Sequence, residues 1–347
     1  MALAVIETQP NFIDRKFISE LSDTGALATL ANPTDIGLEG NSVQTIDFSG
    51  EMGIFGEGSS KATAAEQKKA SNDATNGVVT LNPITYYISY RFPKKFLAVN
   101  GVDGYTPTSD VFRAGMPGTL FGNIMQQPYQ AGVLEQYRAK VNVAVTRALD
   151  YSAFFGVNPN TKAASPLART NGYLADTATV QAVGKDGTPR NDAFRAAVRK
   201  TALNGDTSAE AAISPVFSAN MSDEVTGMGT PAGFAGSVPL IGKMFNLGGI
   251  PVTSTSILMD ATAATAGGIT DNVEAFIGNF RERFVWGATT LSGIEVFDTG
   301  NPDNSAEGDL GAVNKVMLRT EVAMGWAFIG GADKFVAVTS PKVDPEA

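Results

Sequence analysis

Three stretches of the chain place reactive or ligating residue types close to the spacings that known chemistry uses. Gly236-Ser237-Val238-Pro239-Leu240-Ile241-Gly242-Lys243-Met244 comes near a phosphate loop, in which backbone amides and a lysine surround phosphate oxygens. The glycines stand one residue too far apart, Pro239 removes an amide, and Met244 occupies the place of the magnesium-binding hydroxyl. Gly227-Met228-Gly229-Thr230-Pro231-Ala232-Gly233 likewise misses the dinucleotide spacing and opens no helix. Asp303-Asn304-Ser305-Ala306-Glu307-Gly308-Asp309 alternates oxygen ligands ahead of a glycine, as a calcium loop does, but Asn314 sits where the bidentate glutamate belongs. A solvated acidic turn is the expectation there.

The remaining chemistry is bounded by what the chain lacks. Without cysteine there are no disulfides, thiolate metal sites or thiol nucleophiles, and without histidine the commonest general base and metal ligand are gone. A hydrolase using Asp303, Glu307 and Asp309, or a lysine, is the catalytic alternative. A carboxylate pair needs opposed environments to separate its pKa values, and these three share one hydrophilic turn. The expectation is therefore a non-enzyme with no catalytic, cofactor-binding or metal residues and no cofactor. A net charge of −9 also disfavours a protein whose main task is to wrap phosphate backbones. Lys61, Lys68 and Lys69, and Asp14-Arg15-Lys16, read as solubilising charge.

The elements that would position these residues are legible from periodicity. With 347 residues and 43% hydrophobic content the chain can build a large core, while 37 glycines and 17 prolines predict many turns. No run of apolar residues is long enough for a spanning helix, and the N-terminus lacks the pattern of a secretory signal. Residues 12 to 31 show helical spacing that Asn32-Pro33 ends, an amphipathic arm. Val43 to Phe55 and Val78 to Phe92 are rich in strand formers and read as the limbs of a hairpin, which at about 15 residues per limb would reach about 50 Å. The segment between them, Gly56 to Gly77, has no apolar residue but alanine and reads as a solvated tip.

From Val133 to Phe155 the positions Leu134, Tyr137, Val141, Ala144, Val145, Ala148, Leu149, Ser152 and Phe155 recur at three and four, predicting a helix about 35 Å long capped by Gly156. Asp192 is the expected cap of a helix over Ala193 to Leu203, and strands are expected at Ile213 to Ala219, Ile250 to Ile257 and Val273 to Gly278. The stretch Thr226 to Gly249 is glycine-rich and irregular. Gly278-Asn279-Phe280-Arg281-Glu282-Arg283-Phe284-Val285-Trp286-Gly287 then leads through Ile294 to Phe297 into a strand over Lys315 to Phe328. One face of that strand reads Val316, Leu318, Thr320, Val322, Met324, Trp326, Phe328 and the other Met317, Arg319, Glu321, Ala323, Gly325, Ala327.

The order of arm, hairpin, long helix, glycine-rich middle and closing long strand, with Asn314 to Arg319 reading Asn-x-x-x-Leu-Arg, resembles the major capsid proteins of tailed bacteriophages, the Hong Kong 97-type fold. The resemblance covers essentially the whole chain. It implies an α+β fold with an N-terminal arm over residues 1–40, an extended E-loop hairpin over 41–96, and a P domain over 97–189 with its spine helix at 133–155. An A domain over 190–280 and returning P-domain strands over 281–347, with a P-loop at Gly300-Asn301-Pro302-Asp303, complete it. The implied function is self-assembly into an icosahedral head shell that encloses the genome. Implied partners are further copies of the chain in hexameric and pentameric capsomers, portal and scaffolding proteins, a decoration protein, and packaged double-stranded DNA contacted non-specifically, with no membrane. The implied location is the virion, with the host cytoplasm during assembly. About ten residues precede the part of the arm at Asn11 to Pro33, so a scaffold is expected to be a separate protein or a trimmed segment. Gly101, Gly104 and Gly156 are the expected hinges. A cellular shell of the same fold around an enzyme cargo, an encapsulin-like nanocompartment, is the alternative.

Overall fold

The computed structural model describes residues 25–31, 33–34, 36, 41–47, 75–94, 130–182, 190–203, 206, 208–219, 246–247, 250–290 and 295–341. The predicted strand forms as β11 (Lys315–Phe328), and the described sheet around it is built outward from it. Along one edge it pairs antiparallel with β3 (Ile84–Pro93), from Lys315 opposite Pro93 to Met324 opposite Ile84. Along the other it pairs with β10 (Glu295–Phe297) and then with β9 (Phe284–Thr290), which places Trp326 opposite Trp286. The face that reads as apolar is the buried one. Leu318, Val322, Met324 and Trp326 join the main core, where they meet the predicted helix, α2 (Gln130–Phe155).

Two hydroxyl contacts fix α2 on this sheet. Tyr86 on β3 donates to Ser152 Oγ at 2.8 Å, and Tyr137 Oη lies 2.8 Å from Thr320 Oγ1 on β11. Burial pushes both phenols up to about 12, so these contacts stay neutral across the working pH range. At its C-terminus α2 ends in Gly156, whose φ of +63° is left-handed and therefore favours glycine. The expected hinge there is a fastened cap. Its amide donates to Ser152 O, its carbonyl accepts from Ser165 N, and an added Cβ would lie 2.8 Å from the Tyr173 ring. Short helices α3 (Pro166–Thr170) and α4 (Leu174–Thr177) follow, α3 opening on a Ser165 side chain that accepts from Ala168 N.

Among the described residues a second sheet runs in the order β4 (Thr179–Ala182), β12 (Val336–Ser340), β8 (Asn272–Gly278), β5 (Glu210–Ile213), β7 (Ile250–Ser254) and β6 (Asn246–Leu247). The β12–β4 and β5–β7 pairs are parallel and the others antiparallel. Its central strands are buried on both faces, which is why β8 and β12 read as nearly continuous apolar runs. Ala275, Ile277, Val336 and Val338 turn to a core with Phe194 and Ala197 of α5 (Arg190–Leu203). Phe276 turns the other way and stacks on Phe154 of α2, ring centroids 5.3 Å apart. Helix α6 (Ala261–Gly267) is capped by Asp260, whose side chain accepts from Thr262 N and Ala263 N, and α7 (Phe280–Arg283) is capped by Asn279.

Four local expectations are corrected. The Val78 to Phe92 run is two strands with different partners: β2 (Thr75–Leu81) pairs with β1 (Asn41–Asp47), whereas β3 belongs to β11. The break falls at Asn82-Pro83, because proline offers no ladder amide. Asn171 occupies the gap, its Oδ1 accepting from Asn82 N at 3.2 Å and its Nδ2 donating to Asn82 O at 2.8 Å. The described hairpin limbs are thus seven residues each, and the rest of the expected limbs and tip lies outside the described residues. Helix α5 starts at Arg190, so Asp192 sits inside its first turn and complements the helix dipole without being the cap. The strand expected to run from Ile213 to Ala219 ends at Ile213, and 215–219 is helical; Ser214 Oγ accepts from Phe217 N and turns the chain. The strand from Ile250 ends at Ser254, where Thr255 caps a 3-10 turn, Ser256–Met259.

The described end of the predicted arm is part of this chain's own core. Helix α1 (Ala26–Leu30) is buried against α2, and Pro33, Thr34 and Ile36 lie across β9 and β11, so that α1 and these residues form a strap. Pro33 bridges to Trp286, Thr34 N donates to Trp286 O at 2.7 Å, and Trp286 Nε1 donates to Ala31 O at 3.3 Å. This crossing needs the cross-strand pair Gly287 and Gly325. A Cβ on Gly287 would lie 2.5 Å from Thr34 O, and one on Gly325 would lie 2.5 Å from Ile36 Cδ1. Gly287→Val is therefore expected to lift Thr34 and Ile36 and cost about 1–3 kcal/mol. Thermal melting together with hydrogen exchange at Thr34 reads both effects; a variant as stable and as protected as wild type would contradict this packing.

Candidate interaction face of the long sheet

The side of β11 that carries Met317, Arg319, Glu321, Ala323, Gly325 and Ala327 is where the structure leaves chemistry at the surface. Its C-terminal half is covered, since Ile36, Leu81 and Ala327 form a small cluster with Val79 against it. Its middle is open. Arg319 contacts Glu321 and lies over the Tyr87 ring, guanidinium carbon 4.9 Å from the centroid. Tyr87 itself is 66% exposed, far more than a core aromatic. Tyr90, three residues on, lies on the other face, where it pairs with Leu318 and meets Tyr137 edge-on at 5.9 Å. An arginine, a carboxylate and one tyrosine with a free edge make a small polar aromatic patch of the sort enriched at protein interfaces. Nothing in its geometry activates a nucleophile.

At the start of β11 the acidic turn is consumed internally. Arg91 on β3 reaches across it, donating to Asp303 through Nε at 2.9 Å and to Asn301 Oδ1 at 2.6 Å. Lys315 Nζ donates to both oxygens of Glu307 at 2.7 Å, while Asp309 accepts from Gly300 N at 2.8 Å and from Ala312 N at 3.1 Å. Each partner holds its carboxyl below the ordinary range: Arg91 for Asp303, Lys315 for Glu307, backbone amides for Asp309. The resemblance to a calcium loop thus resolves into three separate anchors of one turn. Among the described residues no group of three or more carboxylates could hold a metal ion. The sequence-level hydrolase reading also loses its basis, because all three carboxyls shift the same way and none is poised as an acid.

Several determinants carry no sequence signal. Asp206, Glu210 and Glu274 are buried and paired with arginines: Arg283 at 2.6 Å, Arg281 at 3.5 Å and Arg190 at 2.9 Å. Asp150, on the buried face of α2, accepts from the first two amides of α1. The alternation of charge in Arg281-Glu282-Arg283 hints at the first group, but their partners lie some 70 residues or more away in sequence. The glycine-rich stretches at 227–233 and 236–244, the hairpin-tip lysines Lys61, Lys68 and Lys69, and the expected hinges Gly101 and Gly104 lie outside the described residues. No described helix is long and apolar enough to cross a membrane.

This arrangement of sheets and long helix is similar in fold to solved structures from phages. A structure from Mycobacterium phage Ogopogo is similar with a TM-score of 0.61 and 21% identity, over 91% of this chain and 92% of that one. One from Gordonia phage Cozz gives 0.60 and 15%, over 92% and 87%. One from Microbacterium phage Oxtober96 gives 0.58 and 12%, over 98% and 95%. At such identities the likeness is one of fold. No family model matches the chain, and no curated protein matches it in sequence.

Proposed function

We propose that this chain is the major capsid protein of a tailed double-stranded DNA bacteriophage, assembling with copies of itself into the icosahedral head shell around the genome. The observation that carries the proposal is the fold likeness to three phage structures, which extends over nine-tenths of this chain and leaves no large part of it for another activity. In this reading β3, β9, β10, β11 and α2 form the P domain with its spine helix, and the sheet around β8 with α5 belongs to the A domain. Residues 41–81 supply the E-loop, of which β1 and β2 are the base, and the turn at 300–303 is the P-loop. The chain's role is structural: it offers interlocking surfaces, and multivalency around closed rings makes individually weak contacts hold while still permitting correction.

Capsomers of six and five copies, a separate scaffold, a portal, a decoration protein and non-specific contact with packaged DNA are the partners that this reading supplies, in the virion and, during assembly, in the host cytoplasm. Purified chain, alone and coexpressed with a scaffold, is expected to give rings or closed shells in negative-stain images at rising concentration. A protein that stays monomeric under every such condition would refute the proposal. Shells that copurify with one cellular enzyme and no DNA would move it to a cargo-enclosing compartment.

A further inference from the structure

We propose that the solvent face of α2, carrying Lys140 and Arg147 with Lys162 beside its end, is the surface on which this chain meets the phosphate backbone of double-stranded DNA, so that the α2 side of the subunit faces the inside of the shell. The inference rests on the proposed function, which supplies the DNA. Helix α2 buries Tyr137, Val141, Val145 and Leu149 in the core, and the positions it leaves in solvent include Lys140, Val143 and Arg147. At about 1.5 Å per residue Arg147 stands about 10 Å along the axis from Lys140, with Tyr151 one turn further on. Over the Tyr151 ring lies Lys162, its ammonium 3.2 Å from the ring centroid. Three cations thus line about 16 Å of one helix face, the length of about five base-pair steps of DNA.

Two of these cations are held in place. Lys162 takes a left-handed φ of +59° in the turn after α2, where its amide donates to Asn158 O at 2.9 Å and its side chain to Pro159 O. Arg147 reaches the hydroxyl of Tyr151, which itself donates to Asp260 at 3.0 Å. Asp260 is the carboxylate at this spot and is already engaged, its other oxygen accepting from Thr262 N and Ala263 N at 3.1 Å to cap α6. Among the described residues no carboxylate lies within ion-pair distance of Lys140 or Arg147. In a chain of net charge −9 such a face is a local attractor for polyanions, and cations already fixed lose less freedom when phosphate arrives. The other surfaces do not match it. On the far face of the long sheet Arg319 is spent on Glu321 and Arg91 on Asp303. Helix α5 shows Arg195 and Arg199 to solvent on the side of the second sheet away from α2, but Asp192 stands one turn before Arg195, and among the described residues no contact fixes either guanidinium.

Fluorescence anisotropy of a labelled DNA duplex, titrated with the unassembled full-length chain at salt from about 50 to about 200 mM, tests this face. Three phosphate contacts predict a slope of about −2.7 in log K against log salt, a loss of about 40-fold over that range whatever the sequence of the duplex. Lys140→Gln, Arg147→Gln and Lys162→Gln should each make the slope shallower by about 0.9, whereas Arg195→Gln combined with Arg199→Gln should leave it unchanged. A wild-type chain that does not bind, a slope that survives in the triple variant, a loss that follows the α5 pair, or a polyglutamate probe that binds more tightly than DNA would each overturn the proposal. Should Lys162→Gln melt early because its turn is disturbed, Lys140→Gln combined with Arg147→Gln, both at exposed helix positions, decides alone. Shell formation is imaged with the same proteins. A wild-type chain that builds shells but ignores DNA removes this face and leaves the proposed function, while one that binds through these three residues and never assembles removes the function and leaves the DNA-binding face.

Discussion

Trp326→Ala is expected to destabilise the subunit by about 3–5 kcal/mol, the range for removing a large aromatic from a rigid core. The side chain is fully buried, lies opposite Trp286 across the β9–β11 ladder, and donates its indole N–H to Gly172 O at 2.9 Å. Truncation opens a cavity between two sheet strands and α2 and strips a carbonyl of its donor, and both effects act in the same direction. Because the chain has two tryptophans, the variant also leaves Trp286 as a single fluorescent reporter of the strap. Thermal and denaturant unfolding measure the loss, with Tyr87→Ala, at an exposed site, expected to stay within about 0.5 kcal/mol of wild type. A Trp326→Ala protein that melts within a degree or so of wild type would contradict the core assignment of that face.

The second large effect separates folding from assembly on adjacent residues. Leu318 is fully buried beneath α2 and next to Tyr90 and Val296 in register, so Leu318→Ala should cost about 2–5 kcal/mol of subunit stability. Arg319 points to the opposite face, where it contacts Glu321 and Tyr87 at the edge of solvent. The two side chains keep 26% and 23% of their surface in solvent, and an ion pair that solvent still screens in this way contributes about 1 kcal/mol or less. Arg319→Ala should therefore melt close to wild type while lowering the yield of closed shells, if the face meets a neighbouring copy as the proposed function requires. Melting curves and electron micrographs of the two variants are compared directly. An Arg319→Ala subunit that unfolds as readily as Leu318→Ala would remove the two-face assignment; one that is stable and still builds normal shells would leave the face without a role in assembly.

What the sequence made legible was what local periodicity encodes. Strand β11 and helix α2 announce themselves because burial on one side imposes a period of two or of three and four, and both formed within a few residues of expectation. The hairpin was misjudged at one residue: Pro83 stood in the run of strand formers and marked a change of partner, yet the β-branched residues before it and the aromatics after it masked the break. The acidic turn shows the limit from the other direction. Spacing could propose that Asp303, Glu307 and Asp309 converge on a cation, but only the fold brings Arg91 from more than 200 residues away to take the first of them. Asp150 carried no signal at all, since a polar residue on the apolar side of an amphipathic helix looks like an imperfection until its partner amides are known.

The strap has a consequence for synthesis. Helix α1 is among the first elements to leave the ribosome, yet the tryptophan that holds Ala31 is translated 255 residues later. At about 5–20 residues per second the wait is on the order of ten seconds to a minute. Through that interval Leu27 and Leu30 have no finished groove to enter, and an early apolar segment without a home is what chaperones recognise. Nascent chains stalled before Trp286 should be bound by them more tightly than chains stalled after Phe328, so that an element made early is seated among the last.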